Sequence, residues 1–246
     1  MPPRTVAIGD IHGGYAELRV LLSRLPPLHA GDTLVFMGDY LDRGPDAALV
    51  VDYLRNQLPT RTPAKIVYLR GNHEDAWLRV VERGWPEFLA PPTNGCWATY
   101  MSFAGVKPDD LGPSDYEAFV NGAFFPPGVV EWMRSLPFWY EDEHAIYVHA
   151  GLIERDGQFL HPSAIEEPRP LLWVRTEAFF RSYRGKRVVC GHTVTEFLPQ
   201  ELSSFTPWDP KDLWLGECVV GIDTGCGAGG FLTAVDLPSV TCYESR

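Results

Sequence analysis

Six polar residues recur in one kind of place. Asp10, His12, Asp39, Asn72, His149 and His192 each stand just after a short apolar run, although the first and last lie far apart in the chain. Carboxylate, imidazole and amide together make a hard-to-borderline donor set. Such a set suits manganese, iron or zinc, whereas calcium asks for oxygen throughout. It contains no thiolate, which disfavours a structural zinc site. Asp10 and His12 alternate as residues at a strand end do, so both can face one ion. Asp39 can reach two ions, and Asn72, His149 and His192 complete the set.

A phosphate ester is a reason to gather two ions. Its oxygens are already negative and repel an attacking group. Two cations roughly 3.5–4 Å apart clamp those oxygens and turn a water into the nucleophile, so no protein nucleophile is required. The leaving alkoxide still needs a proton. His73, next to Asn72, is the expected general acid, and Asp42 is placed to hold its tautomer and raise its pKa. Arg43, with Arg175 as the looser candidate, can grip phosphoryl oxygens in a bidentate fork.

The elements that must carry these groups are legible as apolar runs. Val35-Phe36-Met37-Gly38-Asp39 reads as a buried strand that delivers a carboxylate to its end, followed by a tight loop through Asp42 and Arg43. Arg4–Ile8, Lys65–Leu69, Ala145–Val148, Arg187–Cys190 and Val219–Ile222 read the same way, with 231–237 and 240–243 as a closing pair. Leu18, Leu21, Leu22 and Leu25 predict a helix from Tyr15 to Leu25, stopped by Pro26-Pro27. Pro45 is expected in the first turn of a helix reaching about Leu58. Repeated strand, polar loop and helix argue an α/β fold with functional groups at the carboxyl ends of the strands. Residues from about 76 to 140 break that rhythm with helical pieces and many aromatics, and read as a helical cap inserted into a single domain spanning 1–246. Residues 154–170 are expected to be loop, and 171–183 partly helical.

Composition narrows the function further. A formal net charge of −11 argues against general attraction to nucleic acid. No run approaches the length of a membrane span, and the first residues lack a signal-peptide core, so neither membrane nor nucleic acid is an expected partner and the cytoplasm is the default location. The five cysteines include no CxxC pair and fit a reducing compartment, as small buried apolar groups. Arg70 suits an ion pair better than a substrate contact. His29, His144 and His161 show no catalytic context, and Arg181, Arg184, Lys186 and Arg187 read as a solvated surface.

Taken together, Gly9-Asp10-Ile11-His12-Gly13, Gly38-Asp39-Tyr40-Leu41-Asp42-Arg43-Gly44, Gly71-Asn72-His73-Glu74, His149-Ala150-Gly151 and Gly191-His192 resemble the motifs of the phosphoprotein phosphatase family within the calcineurin-like metallophosphoesterases. The resemblance spans about residues 5–237. It implies a four-layer sandwich, two mixed β-sheets between helices, with two divalent or trivalent ions at one edge, manganese first and iron or zinc admissible. It implies Asp10, His12 and Asp39 at one ion and Asp39, Asn72, His149 and His192 at the other. His73 with Asp42 would form the catalytic pair, Arg43 would bind phosphate, and the stretch ending in Arg175 resembles the source of a second arginine. Asp223-Thr224-Gly225-Cys226 resembles a late family segment of unassigned role. Bacterial serine/threonine phosphatases and bis(5'-nucleosyl)-tetraphosphatases share most of these motifs. The symmetrical tetraphosphatases usually lack the aspartate of the Asp-Arg-Gly triplet, so Asp42 favours a phosphorylated protein as substrate. Dinucleoside polyphosphates or short polyphosphates are the alternative, because no docking module is evident. A non-catalytic scaffold is disfavoured by the completeness of the set.

Overall fold

Short apolar runs form the frame because both faces of each can be buried. The structure is a computed structural model and describes residues 3–205 and 208–246. In chain order the strands are β1 (Thr5–Ile8), β2 (Thr33–Phe36), β3 (Lys65–Tyr68), β4 (Trp139–Glu141), β5 (Ile146–Val148), β6 (Glu154–Arg155), β7 (Gln158–Phe159), β8 (Val188–Cys190), β9 (Trp214–Leu215), β10 (Val219–Gly221), β11 (Thr233–Leu237) and β12 (Thr241–Glu244). One sheet has the order β12-β11-β1-β2-β3 and the other β4-β5-β8-β10-β9. In the first, β1, β2 and β3 run parallel and β11 is antiparallel to β1. In the second, β5, β8 and β10 run parallel, with β4 and β9 antiparallel at the edges.

Strand pleating sends alternate residues to opposite faces. Ala7, Val35, Val67 and Val235 of the first sheet meet Tyr147, Val189 and Val220 of the second in the central core. The intervening Val6, Ile8, Leu34 and Phe36 pack outward on Leu18 and Leu21 of helix α1 (Tyr15–Arg24) and Val50 of α2 (Ala47–Asp52). The cap follows as α3 (Asn72–Arg83), α4 (Pro86–Leu89), α5 (Cys96–Ala104), α6 (Pro113–Asn121) and α7 (Pro127–Ser135). On the far side, Ile146, Val148, Val188 and Cys190 pack on Phe179 and Phe180 of α8 (Glu177–Ser182). The result is the expected α/β arrangement of two mixed sheets flanked by helices.

The cap aromatics are mostly core, as expected. Trp77 is fully buried against Phe88, Phe119, Phe124 and Phe125, with ring centroids 5.2–6.3 Å apart. Other expectations need correction. Regular helix after Pro45 covers only Ala47–Asp52; it continues as a π-turn over Tyr53–Gln57, and Pro45 sits in the turn before it. The 154–170 loop contains the β6–β7 hairpin. Edge strands β4 and β9 went unread: each is short, and no ligand candidate stands at its end as one does after β5 and β8. All five cysteines are free, with Cys96, Cys190 and Cys226 buried and Cys218 and Cys242 half-buried. Among the described residues, no helix is long and apolar enough to cross a membrane.

Candidate active site

The parallel strands of both sheets end at one edge, and the chain turns there each time it leaves a strand. Asp10 and His12 follow β1, Asp39 follows β2, and Asn72 and His73 open α3 just after β3. His149 follows β5, His192 follows β8 and Asp223 follows β10. None of these side chains is more than 4% exposed. The turns are tight enough to force the backbone. Seven described non-glycine residues have positive φ, and His12, Asp39, Asp42, Arg43 and His192 are five of them. An L-residue in that region costs about 1–2 kcal/mol, and such outliers gather where side chains must be aimed. Packing is equally tight: a Cβ on Gly191 would lie 2.0 Å from Asp10 Oδ1, and one on Gly71 would lie 2.1 Å from Asp39 Oδ1.

Asp39 is the centre of the cluster. His12 Nε2 lies 3.3 Å from its Oδ2, and His149 Nε2 lies 3.4 Å from its Oδ1. His73 Nε2 is 3.8 Å from Oδ2, and the His73 backbone N–H donates to Oδ1 at 3.0 Å. Asn72 Oδ1 stands 2.8 Å from both His149 Nε2 and His192 Nδ1. Ligand-capable atoms of His12, Asp39 and His73 lie within 4.8 Å of one another, as do those of Asp39, His149 and His192. Asp10 belongs to neither group. Its Oδ2 accepts the His192 backbone N–H at 2.8 Å, and its Oδ1 has no partner.

This donor set fits cations. His12 Nδ1–H donates to the Leu41 carbonyl at 2.7 Å, and His149 Nδ1–H to the Met37 carbonyl at 2.8 Å. Each neutral ring therefore turns a bare Nε2 inward. A bare nitrogen facing a carboxylate oxygen is repulsive unless a proton or a cation lies between them. Burial lowers the pKa of His12, His149 and His192, so a proton is not the remedy. Burial would raise Asp39, and the histidines that would hold it down in their protonated forms are His149, His73 and His12. Burial, with Asp223 and Asp39 nearby, pushes Asp10 well up. Asp10 Oδ1, His12 Nε2, His192 Nε2 and Asp223 Oδ2 are all buried without a partner. Concentrated negative charge and unanswered lone pairs are what a pair of metal ions would satisfy.

His73 differs from the other three rings. Its Nδ1–H donates to Asp42 Oδ2 at 2.6 Å. Burial would lower its pKa, but the charges of Asp39 and Asp42 prevail and raise it. Asp42 is itself pinned: Trp77 Nε1–H donates to it at 2.9 Å and the Thr99 hydroxyl at 2.6 Å. Arg43 and Arg175 come together with His192 along one cleft of about 410 Å³. Arg70 instead faces Asp75 at 3.6 Å and donates to the Arg134 carbonyl, a structural role.

Sequence reasoning left three supports of this site without a role. Glu74 accepts the backbone N–H groups of Gly71, Asp39, Tyr40 and Leu41 at 2.9–3.3 Å, and so shapes the Asp39 loop. Burial and the charge of Asp39 push its carboxyl up to about 7, against the pull of those donors. Its adjacency to His73 in Gly71-Asn72-His73-Glu74 was the available signal. Asp223 is fully buried next to Asp10, and its position at the end of an apolar run was the same signal that marked the other residues. Thr99 lies in the cap and carries no mark in the sequence.

Two mixed sheets with a polar cluster of this kind at their shared edge define a metallophosphoesterase. The model for the calcineurin-like phosphoesterases matches residues 3–196, and the chain belongs to that family. The chain is 27% identical over 253 residues to an asymmetrical bis(5'-nucleosyl)-tetraphosphatase PrpE of Anoxybacillus flavithermus, covering 95% of this chain and 90% of that protein. It is 27% identical over 289 residues to a symmetrical bis(5'-nucleosyl)-tetraphosphatase of Chromohalobacter salexigens, covering 96% and 95%. Among solved structures it resembles one provisionally assigned as a diadenosine tetraphosphatase, with TM-score 0.57, 21% identity and coverage of 99% and 95%. It also resembles a cold-active protein-tyrosine phosphatase of a Shewanella species, with TM-score 0.54, 17% identity and coverage of 100% and 81%. These structural likenesses speak to the fold alone.

Proposed function

We propose that this protein is a metal-dependent hydrolase of dinucleoside polyphosphates, acting through Asp10, His12, Asp39, Asn72, His149 and His192 as ligands to two cations, manganese first. Bound cations would supply charge neutralisation of phosphoryl oxygens and activation of a water as nucleophile. Asp39, kept ionised, faces both halves of the site. The Leu41 and Met37 carbonyls keep His12 and His149 turned inward. His73 holds a proton at Nε2 for the leaving oxygen, and Asp42 holds the opposite edge of that ring. Arg43 and Arg175 bind and orient phosphates.

The observation that carries the substrate class is the shared cleft of Arg43, Arg175 and His192. Two guanidinium groups beside the cluster can grip a phosphate chain as well as one phosphoryl group. Two relatives support this reading, because they are tetraphosphatases that the chain matches along nearly their whole length. Asp42, which the sequence reading took to favour a phosphorylated protein, bears on the substrate only through His73. The side chain is fully buried and saturated by His73, Trp77 and Thr99, so it touches no substrate.

A serine/threonine protein phosphatase is the second reading, and one feature favours it. A pinned proton donor matters most for an alkoxide leaving group, and much less for a nucleotide phosphate. A panel with added manganese decides between them: phosphoserine, phosphothreonine and phosphotyrosine peptides, diadenosine tetraphosphate and tripolyphosphate. Preference for diadenosine tetraphosphate by about 100-fold in kcat/KM, about 2.7 kcal/mol of discrimination, is the expected result. A comparable preference for a phosphopeptide overturns it.

A further inference from the structure

Phe197 is not placed for packing. It ends the short 3₁₀ turn Thr195–Phe197, just beyond His192, and is 74% exposed. Two cavities meet at it. One is the cleft of Arg43, Arg175 and His192. The other, about 540 Å³, is lined by Phe180, Leu198, Pro199, Thr176 and Thr193 among others, a size ordinary for a small-molecule site. Arg175 and Phe197 belong to both linings, so the second cavity adjoins the first at these two side chains.

The walls of the second cavity are unsuited to phosphate. Arg181 is paired with Glu177 and Glu201, all three in the lining. With Arg175 at the boundary, two cations face two anions, and no net positive charge remains. Apolar surface from Phe180, Leu198 and Pro199 makes up much of the rest. Thr193 brings a buried hydroxyl without a partner to the same lining. A flat, uncharged heteroaromatic group with hydrogen-bonding edges matches this combination, and the phosphates stop at Arg175.

We propose that this cavity is the nucleobase subsite for the end of a dinucleoside polyphosphate remote from the reacting phosphate, with Phe197 as its stacking platform. The assignment rests on the dinucleotide reading above. Stacking on an aromatic side chain is sequence-tolerant and corresponds to about 5- to 150-fold in affinity per base. Phe197 would therefore set the preference for substrates that carry a base over those that do not.

The test compares wild type, Phe197→Ala and Phe197→Trp, each with manganese, on diadenosine tetraphosphate, tripolyphosphate and a phosphoserine peptide. For Phe197→Ala, the ratio of kcat/KM for diadenosine tetraphosphate over tripolyphosphate is expected to fall about 5- to 150-fold, mainly through KM. Phe197→Trp is expected to restore it. Equal losses on both substrates, or an unchanged ratio, overturn the subsite while leaving the dinucleotide reading intact. A selective loss on the peptide assigns the cavity to a peptide side chain and overturns it too. If wild type itself shows no preference for diadenosine tetraphosphate, the dinucleotide reading falls and the subsite falls with it.

Discussion

At the strand ends, no polar side chain of the cluster is more than 4% exposed; His12, His149, Asp10 and Asp39 are engaged by main-chain groups, and His73 by the buried Asp42 carboxylate. At the mouth of the same site, Arg175 is exposed on a loop, Phe197 is 74% exposed and Trp173 is 37% exposed. Trp173 lies edge-on to His192 with ring centroids 6.2 Å apart, so the two regions touch. They obey different constraints. The buried set must present fixed lone pairs to ions, which demands residue types and backbone shapes that leave little choice. The mouth must fit whatever carries the phosphate, which many residues on many loops can do. Chemistry is therefore fixed in depth, and substrate choice at the surface.

The largest expected effect is at the centre of the buried set. Asp39→Ala should take activity to background and remove at least one metal equivalent, measured by elemental analysis of the purified protein. Full activity of that variant, or of wild type in a chelator, would end the metal mechanism.

His73→Asn should come next. Loss of a general acid costs about 10²- to 10⁴-fold. The full loss is expected on alkyl phosphates, with metal content unchanged, and much less on p-nitrophenyl phosphate, whose leaving group scarcely needs a proton. Equal losses on both substrates count against the assignment. The pH profile gives an independent check. After burial, which opposes it, Asp39 and Asp42 raise the His73 pKa above its ordinary value. The protonated ring is present below that raised pKa and disappears as pH rises through it. Turnover of alkyl phosphates should therefore fall on the alkaline side, and His73→Asn should flatten that limb.

The two regions also differ in how well the sequence revealed them. The frame was legible because strands buried on both faces read as continuous apolar runs, and each ligand candidate stood at the end of one. Helix α1 announced itself by leucine spacing and a diproline stop. The π-turn after Asp52 was invisible, since it depends on how Tyr53–Gln57 pack and not on a residue type. The sequence leaned towards a phosphorylated protein on Asp42, a buried residue that reaches a substrate only through His73, whereas the matched relatives are tetraphosphatases. Phe197 went unread, because an exposed aromatic in a short turn has no spacing rule to mark it.

Glu74→Gln sharpens the contrast from the structural side. Two backbone N–H groups donate to each carboxylate oxygen of Glu74. A glutamine amide offers one oxygen and one NH₂, so two buried donors must face a donor. At roughly 1–3 kcal/mol per unsatisfied buried group, the variant should lose about 2–6 kcal/mol. A denaturant or thermal melt showing wild-type stability would mean that those four donors find other partners.

The smallest effect should come from the contact that ties the cap to the buried set. The Thr99 hydroxyl donates to Asp42 Oδ1 at 2.6 Å and accepts the Asp42 backbone N–H at 2.7 Å. Thr99→Val keeps the volume and removes both bonds. The orphaned N–H is fully buried, so stability should fall by about 1–3 kcal/mol. Asp42 keeps His73 and Trp77, so the ring stays held from one side and turnover of alkyl phosphates should fall by less than about tenfold, with p-nitrophenyl phosphate nearly unaffected. If stability falls but the two substrates respond alike, the cap serves only as a cover. If the alkyl substrate alone suffers, the cap positions the proton donor, and the boundary between a chemistry-bearing floor and a substrate-bearing mouth runs through α5 and not beneath it.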